Sequence, residues 1–133
     1  MNTNNQIDFS YFIDQELIDI KINENTLLIL ILCRGQLSVE CPWRLRNKKE
    51  ILIGEVDCIS APEKYSPSKL KQILANKEIK NITFTKELFL LSIEFEDKLF
   101  FDLFHNSNYF EEWVLQGDEI DELFSFPGGD VSY

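Results

Sequence analysis

The sequence predicts an α+β fold, mostly antiparallel β, made by tandem duplication of a β-meander unit with one helix between the copies. Three observations lead there. Apolar residues recur at every second position over most of the chain, the period of a half-buried strand. The pattern of the first half returns 62 residues later. A single stretch near the middle has helical spacing instead.

Taken in order, the first unit spans about 12–59 and opens with strands near 17–22, 26–33 and 36–41. The breaks between them carry Asn and Gly, residues suited to tight turns. The run Leu27 to Cys33 is seven residues long, whereas a membrane helix needs about 20, so it reads as a buried strand. Trp43 and Leu45 begin a further hairpin, whose second strand is expected over Ile51 to Cys58. The helix is placed at about 66–76, with Ser66 as N-cap, Pro67 in the first turn and Leu70, Ile73 and Leu74 on one face.

The second unit spans about 79–133. A shift of 62 superposes Phe12 to Cys41 on Leu74 to Leu103 without a gap, matching Leu17 with Ile79, Ile29 with Leu91, Ile31 with Ile93 and Val39 with Phe101. Strands follow near 79–84, 88–95 and 98–103, then Trp113 and Leu115 echo Trp43 and Leu45, and Leu123 to Phe126 closes the unit. Alternation puts Phe89, Leu91, Ile93 and Phe95 on the core face, with Ser92, Glu94 and Asp102 opposite. Leu88, Leu90, Phe100 and Phe104 are apolar on that other face and need a cover, for which the helix is the economical choice.

The chain has 133 residues, 44% of them apolar, enough for one domain with one core over 1–133. No basic leader with a small-residue cleavage site is visible, so a cytoplasmic protein is expected. Cys33, Cys41 and Cys58 lie at irregular spacing beside one histidine, which suggests reduced, buried thiols rather than disulfides or a zinc site.

Charge is divided unevenly. Residues 1–93 hold twelve acidic and twelve basic groups, whereas residues 94–133 hold eleven acidic groups and Lys98 alone. The hairpin after Trp43 carries Arg44, Arg46, Lys48 and Lys49; its counterpart after Trp113 carries Asp118, Glu119, Asp121 and Glu122. Such a surplus is either a solvated face or a field that attracts basic proteins. It disfavours nucleic acid and anionic membranes, whose binding needs cations.

No catalytic, metal or cofactor signature accompanies this charge. His105 has no nucleophile motif beside it. Glu111 and Glu112 are adjacent in a strand and face opposite sides. The cluster Asp118 to Glu122 lacks the calcium-loop spacing. The expectation is a protein that is not an enzyme and holds no cofactor. Its expected partner-binding residues are Tyr109, Glu111, Glu112, Trp113, Asp118, Glu119, Asp121 and Glu122, with the aromatic rings as anchors.

Tyr109-x-x-x-Trp113, then Gly117, then Pro127-Gly128-Gly129, preceded by a hairpin Ser92-Ile93-Glu94-Phe95-Glu96-Asp97, resembles an uncharacterised family of small bacterial proteins. Some of its relatives look like immunity proteins that neutralise toxins. Asp97 stands where a glycine is usual in that family, and Tyr133 replaces a tryptophan-like close. The resemblance implies a basic protein partner such as a nuclease toxin and supplies no catalytic residues. The alternative is a regulatory or homodimeric accessory domain using the apolar face around Leu88, Leu90, Phe100 and Phe104.

Overall fold

The structure is a computed structural model that describes residues 7–22, 28–107, 112–119, 123–125 and 131–132. In chain order its strands are β1 (Leu17–Ile22), β2 (Leu28–Leu32), β3 (Gly35–Val39), β4 (Trp43–Arg46) and β5 (Ile51–Gly54). Helices α1 (Glu55–Ser60) and α2 (Pro67–Leu74) follow. The remaining strands are β6 (Ile79–Thr85), β7 (Leu90–Phe95), β8 (Leu99–Phe104), β9 (Trp113–Gly117), β10 (Leu123–Ser125) and β11 (Val131–Ser132). The α+β class with antiparallel strands and few helices is therefore correct. Thr26, Leu27 and Phe126, assigned to strands from sequence, lie outside the described residues.

The strands form two antiparallel sheets, ordered β1-β2-β3-β9-β10-β11 and β5-β4-β8-β7-β6. Their inward faces share one core, from Leu28, Leu30, Leu37 and Leu115 on one side to Leu45, Leu91, Ile93 and Phe101 on the other. Each sheet mixes the two halves of the chain. The β1-β2-β3 meander is extended by β9, and the β6-β7-β8 meander is extended by β4. Exchanging β1–β5 with β6–β10 turns β1-β2-β3-β9-β10 into β6-β7-β8-β4-β5, the order of the other sheet, and leaves β11 without a counterpart.

Backbone bonds between the halves are reciprocal. Asp14 donates its N–H to the Ile79 carbonyl at 2.7 Å, and Asn76 donates to Leu17 at 3.0 Å. Leu17 donates to Lys77 and Ile79 to Gln15, at 3.0 and 2.9 Å, with a bridge between Glu16 and Glu78 at the centre. Within each pair of bonds the two donors are 62 residues apart, and so are the two acceptors. Asp14 and Asn76 also share a left-handed φ, 69° and 64°, which Asp and Asn tolerate better than most residues. The register irregularities between Leu17 and Asp19 and between Ile79 and Asn81 coincide as well.

Beyond β1 and β6 the ungapped shift fails. Leu32 pairs with Gly35 across a two-residue turn, while Phe95 pairs with Leu99 across the three residues Glu96 to Lys98. The preceding connection is also one residue longer in the second half, since Ile22 faces Leu28 and Phe84 faces Leu91. In β2 the buried residues are Leu28, Leu30 and Leu32. They correspond to Leu91, Ile93 and Phe95 at a shift of 63, not to the positions matched from sequence. The offset is 64 at β3, where Val39 faces Trp113 as Leu103 faces Trp43.

Four further expectations are corrected. The strand expected over Ile51 to Cys58 stops at Gly54, because the Asp57 carboxylate accepts the Gly54 N–H at 2.8 Å and starts α1. Helix α2 ends at Leu74, and Ser66, though in the N-cap position, makes no side-chain cap bond. Phe89 is not core: it is exposed at positive φ in the turn before β7. Of the three thiols only Cys41 is buried, Cys33 being exposed and Cys58 half-buried.

Helix α2 does not cover the outer face of β8. It packs on β1, burying Leu70 and Leu74, with Lys71 paired to Asp19 at 2.6 Å. The cover over Phe100 and Phe104 is supplied by arginines from β4, whose guanidinium carbons lie 4.4 Å (Arg46) and 4.8 Å (Arg44) from the ring centres.

Candidate functional site

Strand β9 positions the described part of the expected acidic site. Glu112 precedes it, half-buried, with its carboxylate accepting the Asn106 N–H at 2.6 Å. Trp113 is 1% exposed and packs opposite Val39, so its ring belongs to the core and is not presented as an anchor. Asp118 and Glu119 follow the strand and are exposed. Glu112 and Asp118 thus stand at opposite ends of β9, roughly 20 Å apart at strand spacing. Tyr109, Glu111, Asp121 and Glu122 lie outside the described residues.

Among the described residues, neither Asp118 nor Glu119 is in an ion pair with a cation of the chain. Arg44 and Arg46 both turn to Asp102, Nε to Oδ2 at 2.7 and 2.6 Å, and the Ser92 hydroxyl donates to Oδ1 at 2.7 Å. Asp102, placed by alternation on the face opposite the core, is fully buried beneath them. The register explains it, since Asp102 faces Arg44 on one side and Ser92 on the other. Burial alone raises the Asp102 carboxyl, but the hydrogen bonds from Arg46, Ser92 and Arg44 outweigh it and hold the group below its ordinary value.

Four lysines are likewise paired. Lys71 pairs with Asp19, Lys77 with Asp97, Lys80 with Asp14 and Glu78, and Lys98 with Glu94. Among the described residues, Asp118 and Glu119 take part in none of these ion pairs. Glu55, a residue the sequence did not single out, has no ion pair there either. Burial first, and the negative charge of Glu112 second, raise its carboxyl. The two carboxylates therefore share one acidic neighbourhood at the lower end of β9.

His105 is buried just past β8 with Nε2 at 2.7 Å from the Ser107 carbonyl, so that nitrogen carries the proton and donates. The Cys41 thiol is pushed far above its ordinary value, first by burial and then by Glu112, which suppresses the thiolate a nucleophile needs. Among the described residues no cluster of three or more His, Cys, Asp or Glu side chains is arranged to hold a metal ion. Among them, no helix is long and apolar enough to cross a membrane.

Comparison of the chain with protein-family models, with curated proteins and with solved structures returns no match.

Proposed function

We propose that the protein is a small acidic protein-binding module that works without catalysis, as an immunity-type inhibitor in the cytoplasm that neutralises a basic toxin such as a nuclease. The observation that carries this reading is the internal commitment of cations. Arg44 and Arg46 are held on Asp102, and in a chain of formal net charge −10 the exposed Asp118 and Glu119 take part in no ion pair among the described residues. A charge excess of this kind raises encounter rates with basic surfaces and repels phosphate backbones. The resemblance to immunity-like proteins points the same way. The homodimer reading is weaker, because Phe100 and Phe104 already lie under arginines.

Tandem duplication is part of the proposal. It accounts for reciprocal bonds whose equivalent donors, and equivalent acceptors, lie 62 residues apart, with one residue inserted in each of two turns.

The test is capture of a basic partner by the wild-type protein and by a variant with Asp118, Glu119, Asp121 and Glu122 changed to Lys. Wild type should retain the partner at low salt and release it at high salt, while the variant retains nothing. Equal retention by both would exclude the acidic region as the binding surface.

A further inference from the structure

An open cleft of about 480 Å³ lies where β4, β5 and α1 meet. Trp43, Leu52, Val56, Tyr65 and Phe104 supply its apolar wall, Glu55 and Asp57 its acidic side and Arg44 a basic edge. Two of the neighbouring apolar side chains are unusually open for their type, Ile51 at 57% and Val56 at 69% exposed. Exposed aliphatic groups beside a concavity mark a contact surface more often than isolated ones do.

We propose that this cleft receives an arginine or lysine side chain presented by the basic protein partner, its stem on the apolar wall and its cation on Glu55. The inference rests on the protein-binding reading above and gives that binding a definite place, at the opposite end of β9 from Asp118.

Charge complementarity selects this occupant. Asp57 at the rim is committed to the Gly54 N–H at 2.8 Å, but Glu55 has no hydrogen bond or ion pair among the described residues. The nearest arginine cannot neutralise it, because the Arg44 guanidinium is held by Asp102 at 2.7 Å and lies over Phe104 at 4.8 Å. Lys64 and Lys69 lie over the Tyr65 ring at 5.6 and 5.0 Å and make no ion pair with Glu55. The Tyr65 and Phe104 rings therefore already carry cations, and the Glu55 carboxylate is the group left to recognise another. Long basic side chains suit such a place, since their methylenes cover apolar surface while the head stays polar. The raised carboxyl of Glu55 agrees: an incoming cation would relieve the desolvation and repulsion that raise it.

The probe is a short blocked peptide alternating arginine with leucine, compared with a twin in which citrulline replaces arginine, followed by amide NMR shifts of the full chain. The arginine peptide should give saturable shifts centred on Gly54, Glu55 and Val56. Affinity should fall about tenfold in Glu55→Gln, the loss of one charge-assisted hydrogen bond, and the citrulline twin should give no saturable shift. A well-dispersed spectrum of Glu55→Gln confirms that the variant is folded. Equal response to the citrulline twin, or undiminished affinity in Glu55→Gln, overturns the cleft. Shifts confined to residues 112–119 overturn the cleft while leaving the acidic module standing. No saturable shift anywhere also overturns the cleft, whereas the acidic module is decided by the capture experiment above.

Discussion

At the scale of single residues, Asp102 is the most consequential group in the molecule. It is fully buried, yet it is satisfied by two guanidinium groups about a third exposed and by one hydroxyl. Deleting such a carboxylate strands two cations against apolar rings, which is costlier than the pair itself is stabilising. Asp102→Ala should lower stability by about 2–4 kcal/mol, seen as a lower urea midpoint at unchanged slope. The pH dependence has a definite sign. Because the folded carboxyl titrates below its unfolded value of about 3.9, its stabilisation is complete above that value and disappears as pH falls through the folded one. In Asp102→Asn that part of the acid limb should vanish; an unchanged acid limb in the melting curves would show that Asp102 is not held as described.

At the scale of elements, the contact between β3 and β9 joins the two halves of the first sheet, and Gly35 sets its closeness. A Cβ there would lie 2.4 Å from the Gln116 carbonyl oxygen and 3.3 Å from the Phe12 ring. Gly35→Ala should therefore cost about 1–3 kcal/mol and speed amide exchange along β9, whereas an unaltered melting temperature would mean that the strands part easily. Alternation made most of these strands legible in the sequence. It did not reveal their frame. In β2 both faces are apolar, with Ile29 and Ile31 outward and Leu28, Leu30 and Leu32 inward, so a one-residue insertion leaves no mark on the pattern. The helix α1 was missed for a related reason: Ile51, Ile53, Val56 and Cys58 keep an apolar rhythm, and only the Asp57 to Gly54 bond stops the strand. Pairing of β4 with β8 was unreadable too, and with it the burial of Asp102 and the cleft at Glu55. Those depend on partners 56 and 58 residues distant.

At the scale of the whole molecule, the exchange of β4 and β9 between sheets makes each half of the chain incomplete. Cutting in the loop between Pro62 and Glu63 should give two fragments that are each unfolded alone and that restore a dispersed NMR spectrum when mixed. A fragment that folds by itself would contradict the interleaving. The same exchange arranges the charge, since it brings Arg44 and Arg46 from the neutral half onto Asp102 of the acidic half. What remains is a surface with carboxylates to spare, at Asp118 and Glu119 on one end of β9 and at Glu55 on the other.

The most direct measurement of this account is the association rate of the captured basic partner, followed over a series of ionic strengths. Steering by an unanswered acidic field predicts a rate that falls by about tenfold or more between low and physiological salt, and that collapses in the variant reversed at 118, 119, 121 and 122. A rate indifferent to salt, the same in both proteins, would mean that these carboxylates serve only to keep the chain hydrated.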